Sequence, residues 1–164
     1  MHSIRRAVTL AIVVLVVLVA ADVAQLSAQS KDPRVGTWKL NVAKSKYDPG
    51  PPPQSQTLKV DAVGKGEKVT SETVTADGKK VTVTYTANFD GKDYPLTGSA
   101  VGADKVSLKR IDARTTERID KKDGKPVVTI RRVVSADGKT MTATSKGTNA
   151  EGKPTNNVAV FEKQ

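Results

Sequence analysis

From about residue 35 to the end of the chain, apolar and polar side chains alternate in short runs. Leu58, Val60 and Ala62 interleave with Lys59 and Asp61, and Val81, Val83, Tyr85 and Ala87 interleave with Thr82, Thr84 and Thr86. Val106 and Leu108 share a phase with Arg110; Val128, Ile130 and Val134 share one with Arg132; Met141 with Ala143, and Val158 with Val160, continue the pattern. Period two over runs of this length marks a strand with one buried face. Beyond residue 28 no segment keeps helical spacing. The pattern predicts strands over 35–41, 56–62, 67–75, 80–88, 93–96, 105–111, 114–121, 126–134, 140–146 and 155–163.

One device recurs between these runs: Ala76-Asp77-Gly78-Lys79, Phe89-Asp90-Gly91-Lys92, Lys122-Asp123-Gly124-Lys125, Ala136-Asp137-Gly138-Lys139 and, with Glu for Asp, Ala150-Glu151-Gly152-Lys153. Glycine takes the positive φ that a type I′ turn, or a type I turn with a bulge, demands. Each copy is expected to reverse the chain. With further turns at Gly64-Lys65-Gly66, at 98–104 and near Asp112, reversals fall roughly every ten to fourteen residues, so neighbouring strands pair in order. An antiparallel meander this long leaves two open edges unless it closes, and closure removes both. The expected fold class is therefore all-β, a single up-and-down antiparallel meander closed into a barrel of 8–10 strands. Eight main strands are the preferred count, with 93–96 and one other as extensions. The stretch 41–56 breaks the period: Tyr47-Asp48-Pro49-Gly50-Pro51-Pro52-Pro53 lacks the amide hydrogens a sheet interior needs. It is a long connection, either a lid over the barrel mouth or a surface loop.

The start of the chain is different in kind. Residues 1–6 are basic at Arg5 and Arg6, and 7–21 are uncharged and mostly aliphatic. A run of about fifteen residues is shorter than the roughly twenty that span a bilayer core and suits the apolar region of a secretory signal. A signal peptide over 1–28 is expected, cleaved after Leu26-Ser27-Ala28, with Val19-Ala20-Ala21 as the other small-residue site; the alternative is an uncleaved anchor, since the run lies close to the lower limit for spanning. One domain follows, 29–164. The absence of Cys removes both a lipid-modified Cys after the leader and a disulfide framework. A periplasmic or secreted location is expected from this reading, with no transmembrane segment in the mature chain.

Composition and charge bear on the interior and on partners. Aromatics are 4% and apolar residues 37%, few large side chains for filling a barrel, so the core is thin or the barrel holds space. The net charge is +10, nearly all of it beyond residue 28. Its Lys residues are spread over the turns and mixed with acids, which argues against nucleic acid. Anionic lipid, an envelope polysaccharide or an acidic ligand suits an exported basic domain better, and so does a plain solvated surface.

The chain's one Trp lies in Val35-Gly36-Thr37-Trp38-Lys39-Leu40-Asn41. A Gly-x-Trp opening followed by hairpins resembles the calycin superfamily, the lipocalins and fatty-acid-binding proteins, and Gly36-Thr37-Trp38-Lys39-Leu40 is close to the first-strand signature of the latter. The resemblance implies that Gly36 and Trp38 are structural, with the indole closing the barrel floor. It also implies a cation from a late strand across the ring, worth on the order of 1 kcal/mol. Lys163 on the final strand is the candidate by position, where lipocalins have Arg. Fatty-acid-binding proteins hold a ligand carboxylate with Arg residues and a Tyr from late strands, a contact that suits the guanidinium fork. The final strand, Val158-Ala159-Val160-Phe161-Glu162, lacks that family's Arg-x-Tyr. Arg110 and Arg132, in phase with apolar neighbours, together with Tyr85 are the candidate ligand-binding set; a register shift near Gly138 or Asp112 would instead turn both Arg side chains to solvent.

Catalytic and metal-binding constellations are not apparent. His2 is the only His and leaves with the leader, so imidazole acid-base chemistry, Cys-His nucleophiles and His-rich metal sites are not expected of the mature chain. Most acids belong to turns, and no pair stands out for carboxylate chemistry. A non-enzymatic protein with no cofactor or metal is expected, as a monomer. The function expected first is binding of a small hydrophobic, amphipathic or anionic ligand. The alternative is a non-catalytic envelope protein with a filled barrel and a basic surface that engages an anionic polymer or another protein.

Overall fold

The computed structural model describes residues 32–164, and the leader expected over 1–28 lies outside the described residues. Ten strands follow in order: β1 (Gly36–Leu40), β2 (Ser55–Val63), β3 (Gly66–Val74), β4 (Lys80–Asn88), β5 (Tyr94–Thr97), β6 (Lys105–Arg110), β7 (Thr115–Lys122), β8 (Lys125–Val134), β9 (Thr140–Thr148) and β10 (Pro154–Lys163). Each pairs antiparallel with its neighbours in sequence, and β1 pairs with β10 to close a barrel. The count is ten, not the preferred eight. The short segment at 93–96 is no extension: β5 bonds to β4 through Tyr85↔Leu96 and to β6 through Tyr94↔Val106, filling a place in the wall. Among the described residues no helix is long and apolar enough to cross a membrane.

The corners divide by turn chemistry. At Asp123-Gly124 both residues have positive φ, 49° and 74°, the two-residue primed loop whose twist matches its strands. At Gly78, Gly138 and Gly152 only the glycine is left-handed, and its N–H donates to the carbonyl three residues back, on Thr75, Ser135 and Asn149. These are type I turns closed by a glycine bulge. The copy at Phe89–Lys92 departs from the expected tight hairpin. Gly91 N–H donates to Leu108 O, and Asp90 bridges to Lys109, so this corner bonds to β6 while β4 and β5 meet only farther along.

One glycine is required by space as well as by φ. Gly98, between β5 and β6, has φ +79°, and a Cβ there would stand 1.8 Å from the Thr82 carbonyl oxygen. Gly98→Ala is expected to cost about 2–3 kcal/mol, read as a lower urea midpoint. An unchanged midpoint would mean the β4–β5 junction gives way freely.

The interior is filled at one end. Trp38, Val60, Ala87, Leu108, Val134 and Met141 are all buried to 2% exposure or less. The Trp38 indole N–H donates to the Arg34 carbonyl at 2.8 Å, which satisfies the polar edge of a wholly buried ring. Lys163, opposite Trp38 in the β1–β10 register, holds its Nζ 5.0 Å from the ring centroid and also donates to the Pro33 carbonyl at 3.1 Å. Arg34 and Arg110 each place a guanidinium 4.7 Å from the centroid of Phe89.

At the other end the β1–β2 connection is tied to the wall. After a turn of 3-10 helix at Val42–Lys44, Lys46 exchanges two 2.7 Å hydrogen bonds with Val158, and Asp48 O accepts from Asn156 N at 2.7 Å. Ser45 Oγ accepts from Val160 N at 2.9 Å. The backbone donors that β10 leaves past the end of β1 are thereby used, and the connection is held beside the mouth.

Candidate ligand-binding site

Inward-facing positions on seven strands line a cavity of about 210 Å³. Its wall is built from register. Arg118, Ile130, Ser145 and Asn157 lie opposite one another across β7, β8, β9 and β10; one step toward the floor come Arg132, Ala143 and Ala159. Leu58, Ser71 and Val83 form the facing row on β2, β3 and β4. Most of the wall is apolar, since period-two alternation puts Val, Ile, Leu and Ala on this face. Small residues, Ala143, Ser145 and Ala159, occupy β9 and β10 and leave the space. Tyr47 reaches the cavity from the β1–β2 connection, and burial pushes its phenol up to about 12.

The polar part of the cavity is a network of buried charges. Arg132 Nη2 donates to Glu67 Oε1 in a close ion pair, and the Tyr85 hydroxyl donates to the same oxygen at 2.6 Å. Arg118 grips Asp120 through two bonds, Nε to Oδ1 at 2.6 Å and Nη2 to Oδ2 at 2.8 Å. Its guanidinium also lies 4.6 Å from the Tyr85 ring centroid. Burial alone would raise the Glu67 pKa, but the Arg132 charge and the hydrogen bonds from Tyr85 and Arg132 outweigh it and hold the carboxyl below its ordinary value. Burial pushes the Tyr85 phenol upward, so it stays a donor. Three buried polar atoms have no hydrogen-bond partner among the described residues: Arg132 Nε, Glu67 Oε2 and Thr116 Oγ1.

The candidate set Arg110, Arg132 and Tyr85 is divided by the structure. Arg132 and Tyr85 meet on Glu67, with Arg132 at the cavity wall. Arg110 does not join them. It is the last residue of β6, and at the strand end its exposed side chain stacks on Phe89. The register shift lies between Asp120 and Lys121, away from Gly138 and Asp112, and Arg132 stays 5% exposed. Sequence reasoning missed Arg118, Glu67 and Asp120. Glu67 is in phase with Val69 and Ser71 on β3, and that shared phase is the signal that identifies it. Arg118 and Asp120 lie in Thr-Thr-Glu-Arg-Ile-Asp-Lys-Lys, where both faces carry charge and alternation gives no direction.

The class that fold and site define is the closed, all-antiparallel barrel of ten strands with an interior chamber. The chain is similar to the crystal structure of zebrafish ileal bile acid-binding protein complexed with cholic acid, with a TM-score of 0.48 and 13% identity over 80% of this chain and 99% of that one. No protein-family model and no curated protein sequence matches the chain.

Proposed function

We propose that the protein is a carrier or sensor of a small hydrophobic or amphipathic ligand, acting in the periplasm or outside the cell. The observation that carries this reading is the cavity of about 210 Å³ inside the barrel, a space with a mainly apolar surface and polar groups set into it, the usual make-up of a small-molecule site. A cavity of ~150 Å³ holds benzene, so this one suits a ligand of about eight non-hydrogen atoms, or one end of a longer molecule that leaves by the mouth. The leader-like composition of 1–28 supports the proposed location. The other reading, an envelope protein with a basic surface, has the +10 charge in its favour; it calls for a barrel packed from floor to rim, and here only the floor half is packed.

Ala143→Phe tests the reading. The new ring enters the cavity from β9, where Ala143 faces Ala159 and Arg132. Protein purified from its own host is expected to carry a small molecule at one per chain in native mass spectrometry, and the variant to lose it while keeping or raising its Tm, because the added side chain fills empty apolar space. Bare chain in both samples would count against a carrier.

A further inference from the structure

On the carrier reading, which this inference rests on, we infer that the chamber selects an uncharged ligand whose buried end is a hydrogen-bond acceptor, and that it rejects the matching carboxylate. Two cations line the cavity, Arg118 and Arg132, and two buried guanidinium groups would ordinarily invite an anion. Both are already committed. Arg132 is paired with Glu67, and Arg118 with Asp120 through two bonds. The first pair is buried, with side-chain exposures of 6% and 3%, and the second nearly so, at 12% and 8%. Two positive and two negative charges cancel.

Glu67 itself occupies the anion position. Its Oε1 receives both the Tyr85 hydroxyl and the Arg132 guanidinium, so the donors that a ligand carboxylate would use are taken by a carboxylate of the chain. A second one brought beside them would meet Glu67 and Asp120 in a low-dielectric space with no unpaired cation to offset it, an arrangement that disfavours ionisation of the newcomer.

Of the two atoms the Arg132–Glu67 pair leaves unpartnered, Arg132 Nε and Glu67 Oε2, the first belongs to a residue that lines the cavity and the second to one that does not. Arg132 Nε–H is buried and has no partner among the described residues, and an unmet buried donor is costly. A carbonyl or ether oxygen satisfies it without adding charge. The other polar groups at the wall, Gln56, Ser71, Ser145, Asn157 and Tyr47, are neutral, and Gln56 and Ser71 already bond each other at 2.9 Å.

The test compares hexanamide with hexanoate, which have equal numbers of non-hydrogen atoms and differ in charge. Binding to the full barrel at neutral pH is followed by NMR titration. Hexanamide is expected to bind about tenfold or more tighter than hexanoate, because only the latter brings an uncompensated charge inside. Glu67→Gln, which keeps an acceptor for Tyr85 and removes the negative charge, is expected to shift that ratio toward hexanoate by a similar factor. If E67Q fails to fold, Asp120→Asn unpairs Arg118 in the same way and is used instead. Tighter binding of hexanoate to the unaltered protein would overturn the inference and leave the carrier reading intact. A ratio that the charge-removing variant does not move would overturn the role given to the ion pairs. Binding of neither probe would remove the carrier reading and this inference with it.

Discussion

Replacing Arg132 with Met is expected to lower the unfolding free energy by about 3–5 kcal/mol, because it leaves Glu67 as a buried carboxylate without its cation. Glu67 is 3% exposed, and Arg132 supplies the charge that holds its pKa down. The double variant Glu67→Leu, Arg132→Met removes both charges and is expected to recover most of the loss, since well-packed apolar residues replace a buried pair at little net cost. What remains is the Tyr85 hydroxyl without an acceptor, about 1–3 kcal/mol. Urea denaturation of the parent, Arg132→Met, Glu67→Leu and the double variant gives the cycle, and an Arg132→Met protein as stable as its parent would show that the pair contributes nothing.

The same pair sets a pH dependence whose sign follows from linkage. In the parent protein the folded-state pKa of Glu67 lies below its ordinary value of 4.5. The stability from this group is therefore fully present above that value and is lost as pH falls through the lower, folded-state pKa. In the Arg132→Met protein burial is opposed only by the Tyr85 hydrogen bond and the Arg34 charge, the largest opposing influence is gone, and the pKa moves up. That variant gains relative stability as the carboxyl takes its proton, so the gap between the two proteins narrows on acidification.

Trp38→Ala is the other substitution with a large expected effect, a loss of about 3–5 kcal/mol. The ring is 0% exposed, lies at the filled end of the barrel, and gives its N–H to the Arg34 carbonyl. Truncation opens a cavity beneath the chamber, strands that carbonyl and takes the π face from Lys163. Trp38→Phe keeps most of the packing and removes only the N–H donor, for a smaller loss of about 1–3 kcal/mol. Urea unfolding followed by far-UV circular dichroism measures all three, because the variants lack the native fluorophore. Equal losses for Ala and Phe would assign the ring's contribution to its hydrogen bond instead of its volume.

The strands were legible because the two signals that mark them are local. Alternation fixed the inward face of β2 and β4, and acidic-residue-plus-glycine pairs placed the corners at 75–79, 122–125, 135–139 and 149–153 almost to the residue. The strand count was harder, because four residues with a Pro in them carry too little alternation to weigh: Tyr94-Pro95-Leu96-Thr97 earns its place in the wall by bonding to β4 and β6, a fact about partners. The corner at Phe89–Lys92 failed for the same reason, since its hydrogen bonds run to β6.

The polar site was legible only in part. Phase placed Arg132 and Tyr85 inside, yet phase does not say where along a strand the barrel interior ends, and Arg110 sits at that limit. Nor does it say what a buried Arg will meet. Arg132 and Glu67 are 65 residues apart, brought together by closure of the cylinder across its interior, so the ion pair that turns an anion clamp into a neutral surface has no trace in either strand alone.

The central claim is that the mouth half of the barrel is a chamber that accepts a small ligand between β2–β4 and β7–β10. Methyl-detected NMR during titration with hexanamide tests it most directly. Saturable, one-to-one shifts are predicted at Leu58, Val69, Val83, Ile130, Ala143 and Ala159, with the outward-facing methyls of Val133 unmoved. Shifts confined to the outer face, or none at any concentration that the probe's solubility allows, would contradict it.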